Sequence, residues 1–254
     1  MPDIREKLYI TTVAQNDWQT AEKFGAGLEI AEFCTAYNMD TYFEETDKIV
    51  REKMSHADRF VFHGPFNELC PAAIDPLVVE ITKKRYTQAI ETSLKYGIKR
   101  MVFHSGFTPL IYYKSWFIDR SIEFWSEFLK DAPSDITLCY ENVMEDSPEM
   151  PYEIVSAIND PRLGLCLDIG HATTMVSDVP AYKWVEKYGS LMNHLHLHSN
   201  VGKMDDHAPL GTGIIDAKQV MDLILDVSPE ATLTVESLDA ESTCIWLSEN
   251  GYFG

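Results

Sequence analysis

No apolar run in the chain reaches the eighteen or so residues that a membrane span needs. No signal-peptide h-region follows Met1-Pro2-Asp3-Ile4-Arg5, so a cytoplasmic protein with no membrane partner, its mature chain starting near Met1, is expected. Basic residues are scarce: 21 Lys and Arg face 40 Asp and Glu, a formal net charge of −19. Nucleic-acid affinity comes mainly from Lys and Arg displacing counterions, so duplex nucleic acid is not an expected partner. CxxC spacing is also missing. Cys34, Cys70, Cys139, Cys166 and Cys244 are odd in number and scattered, which fits reduced buried thiols and not a disulfide framework. Ile10-Thr11-Thr12-Val13-Ala14 contains no glycine, so the phosphate turn of an open doubly wound sheet is absent, and that fold is the lesser alternative. No linker, low-complexity tract or charge block divides residues 1–254, so a single domain is expected.

What is present is alternation. Eight short apolar runs read as buried parallel strands: Lys7–Val13, Gly27–Phe33, Arg59–His63, Arg100–His104, Asp135–Glu141, Arg162–Asp168, Met192–His198 and Ala231–Glu236. Helical patterns separate them. Asp17 is the expected N-cap of Trp18–Phe24, and Asp75-Pro76 opens a long helix that ends at Tyr96-Gly97. Further helices are expected over Thr41–His56, Ser115–Lys130, Pro148–Ile158, Ala181–Tyr188, Asp216–Asp226 and Glu241–Ser248. Eight strand–helix units in this length predict a closed (β/α)₈ TIM barrel of the α/β class.

Side chains alternate along a strand. In His194-Leu195-His196-Leu197-His198 the leucines suit the helix layer, which turns the three histidines inward. The same parity turns His63, His104, Glu141, Asp168 and Glu236 inward, each at the C-terminal end of its strand, where barrel enzymes keep their chemistry. His171 and Asp205-Asp206-His207 follow in loops. Glu29 shares the inward parity and reads as a barrel-floor group supporting the site. His194 lies two residues, roughly 7 Å, below His196, so the two are not expected to share an ion. His56 reads as surface, and Cys139 and Cys166 as packing one layer below the acids. A lone inward histidine is usually a satisfied core residue. Several carboxylates and imidazoles converging on one mouth are a different matter: desolvation and mutual repulsion oppose them, and a divalent cation removes both costs.

Taken in order, His63-Gly-Pro, Phe103-His104-Ser-Gly, Tyr140-Glu141-Asn142, Cys166-Leu-Asp168-Ile-Gly-His171, His196-Leu-His198, Asp205-Asp-His207 with Gly211-Thr-Gly213, and Val235-Glu236-Ser resemble the xylose isomerase-like barrel superfamily. That group contains sugar and sugar-phosphate isomerases and epimerases, and the endonuclease IV family. The epimerase branch implies one ion on Glu141, Asp168, His196 and Glu236. The endonuclease IV branch implies three zinc ions, adding His63, His104, His171, Asp205 and His207. A matching residue type stands at all nine positions, so one to three divalent ions, zinc or manganese, are expected. The chain is short for endonuclease IV. Where epimerases often carry an arginine past the histidine strand, only Lys203 is available, so His198 and Lys203 are the expected substrate contacts.

The preferred reading is an isomerase or epimerase acting on a sugar or sugar phosphate through a metal-stabilised enediolate. Glu141 and Glu236 would carry the proton, and His171 would contact a hydroxyl or carbonyl. The alternatives are a zinc-dependent phosphoesterase, in which the ions share Glu141, and a non-catalytic sugar-binding barrel. Phe66, Phe107, Tyr112, Tyr113 and Trp116 near strand ends would stack on a ligand or pack the loops.

Overall fold

A computed structural model describes residues 3–254. Eight parallel strands close into a barrel in sequence order, β8 pairing with β1 through Leu8 opposite Leu233. The strands are β1 Leu8–Thr11, β2 Gly27–Ile30, β3 Phe60–His63, β4 Arg100–His104, β5 Thr137–Glu141, β6 Leu163–Asp168, β7 Met192–Leu197 and β8 Thr232–Val235. The helices are α1 Asp17–Phe24, a single turn α2 Ala36–Met39, α3 Phe43–Met54, α4 Pro76–Lys95, α5 Lys114–Asp131, α6 Glu149–Ile158, α7 Ala181–Tyr188, α8 Ala217–Val227 and α9 Ala240–Glu249. The expected (β/α)₈ barrel is therefore the observed fold. Among the described residues no helix is long and apolar enough to cross a membrane.

Local chemistry sets the element ends. Asp75 accepts a hydrogen bond from the Leu77 N–H at 2.9 Å, and Pro76 follows as the first residue of α4. The helix closes where Gly97 takes φ +74°, letting the Ile98 N–H reach the Ser93 carbonyl at 3.0 Å. Asp216 and Asp239 cap α8 and α9 in the same way, on the N–H groups of Gln219 and Ser242. Three expectations are corrected. The N-cap of α1 is Asn16, in the left-handed region at φ +53°, while Asp17 is the first helical residue. Its carboxylate is drawn to Lys53 at 2.6 Å, which also holds Glu32 at 2.7 Å. The helix expected over Thr41–His56 is shorter, Phe43–Met54, because the chain turns at Asp40–Tyr42, and the separate single turn α2 precedes it. The outermost strand residues are trimmed too: β1 stops at Thr11, β2 at Ile30, and His198 and Glu236 each lie one residue past a strand.

The inward–outward parity holds. Leu138, Tyr140, Leu165, Leu167, Leu195, Leu197, Leu233 and Val235 join the large core between sheet and helices. Tyr9, Val61, Val102, Cys139 and Cys166 form a separate small apolar plug inside the barrel. This plug is the floor on which the polar mouth rests. On β4 the two layers meet at adjacent residues. Phe103 packs outward on Tyr86 with ring centroids 4.4 Å apart, and the Tyr86 hydroxyl donates to the His104 carbonyl at 3.3 Å. Phe103→Ala is expected to lower stability by about 3–5 kcal/mol, as burial of a whole aromatic side chain is lost. Urea unfolding followed by far-UV circular dichroism measures it.

Candidate metal centre

The parallel register brings the inward strand ends to one level: His104 stands opposite Glu141, and Asp168 opposite His196. Donor atoms gather into five overlapping sets, within each of which they lie within 4.8 Å of one another; two reach down to Glu29 or His194, and three stay at the mouth. Of these three, the first set is His63, His104 and Glu141. The second is Glu141, Asp168, His196 and Glu236. The third is His171, His198, Asp205 and His207. All nine residues expected from the sequence are therefore brought together.

Glu141 joins the first two sets with a different oxygen for each. Its Oε1 lies 3.1 Å from His196 Nδ1 and 3.5 Å from His171 Nδ1, while its Oε2 lies 3.4 Å from His104 Nε2 and 3.7 Å from His63 Nε2. His196 Nδ1 also lies 3.2 Å from Glu236 Oε2 and 3.7 Å from Asp168 Oδ2.

Three histidines are locked in one tautomer by backbone carbonyls. His63 Nδ1 is 2.9 Å from the Gly64 oxygen, His171 Nδ1 is 3.0 Å from the Asn142 oxygen, and His207 Nδ1 is 2.8 Å from the Glu236 oxygen. A carbonyl can only accept, so each Nδ1 carries the proton and each neutral ring turns an Nε2 lone pair to the centre. Those lone pairs meet carboxylate oxygens: Asp205 Oδ2 is 3.2 Å from His171 Nε2 and 2.9 Å from His207 Nε2. A lone pair facing a carboxylate repels unless a proton or a cation lies between them. Protons serve in the metal-free protein. Burial works against charge on His207, but Asp205 outweighs it and lifts His207 to about 9. Against the same burial, Asp168 holds His171 well above the usual range. Burial opposes charge on Glu141 and Asp168 as well, yet the neighbouring imidazoles keep both carboxyls well below the ordinary range. His104 is the exception. Burial lowers it to about 3, despite Glu141, leaving a neutral imidazole.

The donors fit divalent metal by a further sign. Glu141 Oε2 and Glu236 Oε2 are buried without a hydrogen-bond partner, a cost that natural cores rarely bear without an ion or a ligand. Carboxylate oxygen with imidazole nitrogen suits zinc or manganese.

The two expected substrate contacts are placed differently from one another. His198 is buried among the donors, its Nε2 2.9 Å from Asp168 Oδ1 and its ring stacked 4.2 Å from that of His207. Lys203 is exposed and has no ion pair or side-chain hydrogen bond among the described residues; only its carbonyl is engaged, accepting from the Met175 N–H. His56 is exposed as expected, stacked on Trp18. The expected separation of His194 from His196 is corrected. Their ring centroids are 5.3 Å apart, because both rings turn toward Glu29.

Sequence reasoning gave no role to Asn142 and Gly170. Asn142 donates from Nδ2 to the Asp168 carbonyl and accepts from the Asp168 N–H, both at 3.0 Å, carrying the β5–β6 pairing one step beyond the ladder. A Cβ on Gly170 would sit 1.9 Å from His198 Cε1, so glycine is what lets His198 reach Asp168. Their places beside Glu141 and His171 were the available signal. His207 also holds a left-handed backbone, φ +46°, fixed by its ring bond and by the Leu238 N–H on its carbonyl.

A barrel with acid and imidazole donors at the C-terminal mouth defines the class: a candidate metal-site TIM barrel. The family model described as xylose isomerase-like TIM barrel matches residues 21–249, and the chain belongs to that family. It is 28% identical over 203 residues to the uncharacterised protein MJ1311 of Methanocaldococcus jannaschii, covering 75% of this chain and 69% of that one. It is 24% identical over 214 residues to a probable endonuclease 4 of Metamycoplasma arthritidis, covering 76% and 74%. Among solved structures, the zinc-soaked TTHB071 protein of Thermus thermophilus superposes with a TM-score of 0.79 at 22% identity over 98% and 99% of the chains. A D-tagatose 3-epimerase-like protein superposes with 0.74 at 24% identity over 96% of each.

Metal binding should displace the protons that now separate His171 and His207 from Asp205. Zinc added to metal-free protein at pH 7.5 in weak buffer should release protons, read with an indicator dye. The sign for stability follows. His207 is raised from 6.5 to about 9, so its contribution is complete below pH 6.5 and is lost as pH rises through 9. Metal-free protein should therefore lose stability over that window and zinc-loaded protein should not. Equal pH profiles for the two forms, with no proton release, would contradict the assignment.

Proposed function

We propose that the chain is a divalent-metal-dependent enzyme whose mouth holds more than one ion and which hydrolyses a small phosphoester. The presence of three donor sets at the mouth, with Glu141 giving one oxygen to each of two, carries this reading. A single-ion isomerase needs only the Glu141, Asp168, His196, Glu236 set and leaves His63, His104 and His207 without a task. Divalent ions at these positions would supply a nucleophilic water and offset charge on the phosphoryl and leaving oxygens. The chain's part is placement. Gly64, Asn142 and Glu236 carbonyls fix the rings of His63, His171 and His207, and Asn142 and His198 fix Asp168.

Substrate size follows from charge. Among the eight loops that follow the strands, the one Lys or Arg is Lys203. With a net charge of −19, nothing here grips a duplex backbone, so a small phosphoester is the substrate class.

One observation favours a second reading, an isomerase or epimerase of a sugar or sugar phosphate. Glu141 from β5 and Glu236 from just beyond β8 both flank His196 Nδ1, at 3.1 and 3.2 Å. Two carboxylates beside one donor set could take a proton from one face of a carbon and return it to the other, with His171 on a hydroxyl.

Elemental analysis of zinc-loaded protein, hydrolysis of bis(p-nitrophenyl) phosphate and solvent deuterium exchange into ketoses separate the readings. Hydrolysis predicts two to three ions per chain, release of nitrophenol, unchanged C–H bonds, and a loss of at least about tenfold in His104→Ala. One ion per chain with deuterium entering a ketose would establish the isomerase reading instead. Bound metal with neither reaction would favour the non-catalytic barrel.

A further inference from the structure

We infer that Glu29 is the positioning residue of the metal centre, setting which nitrogen of His196 faces the mouth; the inference rests on the metal reading above. Glu29 is fully buried on β2, beside the apolar plug of Val61, Val102, Cys139 and Cys166. No Lys or Arg pairs with it among the described residues. A carboxylate in such surroundings is costly unless its oxygens are taken up by donors.

The donors on hand are two imidazoles and a hydroxyl. Glu29 Oε2 accepts from Thr234 Oγ1 at 2.6 Å and from His194 Nε2 at 3.1 Å. Glu29 Oε1 lies 3.1 Å from His196 Nε2 as an ion-pair contact, and neither atom has a hydrogen-bond partner. His194 is held in turn, its Nδ1 accepting from Thr232 Oγ1 at 2.6 Å. With Thr232 as donor, His194 is a neutral ring whose proton is on Nε2, toward Glu29. Its protonation thus leaves Oε1 of Glu29 free for His196 alone.

His196 is the link to the site. Its Nδ1 faces Glu141, Glu236 and Asp168, while its Nε2 faces Glu29. A carboxylate behind one nitrogen keeps a ring proton there, so that a metal displacing the proton on the other nitrogen would meet its lone pair aimed from that side at the mouth. It also makes the ligand more basic. The arrangement runs opposite to that of His63, His171 and His207. Those rings are held through Nδ1 by backbone carbonyls and offer Nε2, whereas His196 is held through Nε2 by a side-chain carboxylate and offers Nδ1. Only an inward acid one strand-layer deeper can reach that nitrogen, and Glu29 is where β2 supplies one.

Zinc affinity of the folded protein, by competition with a chromophoric chelator, tests this without reference to turnover. Long-range ¹H–¹⁵N spectra of the histidine rings report the His196 tautomer. Glu29→Gln keeps the volume and removes the charge. It should bind zinc about 10–100-fold more weakly and, in the zinc-loaded protein, shift His196 from the single Nε2–H form to a mixture, while Glu29→Asp recovers part of both. If Glu29→Gln does not fold, Thr234→Val, which removes the hydroxyl on Oε2, should move both readouts in the same direction by a smaller amount. Unchanged affinity and tautomer in a folded variant would overturn the inference while leaving the metal reading intact. A wild type that binds no zinc would overturn both.

Discussion

Mutual repulsion among Glu29, Glu141, Asp168 and Glu236 is the constraint to which the rest of the molecule answers. All four are buried, within one barrel, and none is paired with Lys or Arg among the described residues. Carboxylates so placed cannot all stay ionised in a low-dielectric interior without compensating positive charge close by. The compensation comes from imidazoles, which unlike Lys or Arg give up their protons to a metal at neutral pH. The cluster is therefore chemically exchangeable. Protons hold it together, and divalent ions, on the reading proposed above, would take their place with the protons released.

The barrel supplies what such a cluster needs, a rigid ring of strand ends at one height. Aromatic packing behind the sheet, Tyr86 against Phe103 and Trp125, fixes the strands from outside, and the small plug of Tyr9, Val61, Val102, Cys139 and Cys166 fixes them from within. Between those layers each inward side chain has little rotameric freedom. Remaining freedom is removed by single hydrogen bonds donated to backbone carbonyls, or, for His196, by Glu29.

Much of this was legible in the sequence because strand parity has a period of two and errs only by whole residues. Placing His196 inward by its leucine neighbours also placed Glu141, Asp168 and Glu236 at the same mouth. Boundaries were less legible: Asp17 has the chemistry of an N-cap, but Lys53, thirty-six positions away, claims its carboxylate. Ring orientation was not legible at all. The spacing of roughly 7 Å between His194 and His196 follows backbone rise, whereas the rings converge on Glu29, a residue on another strand. Nor could His198 be separated from a substrate contact, since its engagement with Asp168 depends on the missing Cβ of Gly170. Only the likeness of the ordered motifs suggested nine donors, and the tautomer locks that make three of them coherent reside in backbone carbonyls, which carry no residue signature.

The acidic exterior bears on the chemistry as well. A field of one sign around a concave mouth concentrates counter-ions of the other sign there, and here that favours divalent cations over anionic substrates. With ions bound as proposed, the mouth would be far less negative, while the outer surface stays acidic. A small phosphoester or sugar phosphate would then meet attraction only at close range, and a long polyanion would meet repulsion along its whole remaining length. Lys203, alone in the loops and exposed, does not alter that balance. Discrimination against large anions would thus need no dedicated contact: it would follow from confining positive charge to the proposed metal centre of a chain that is otherwise negative.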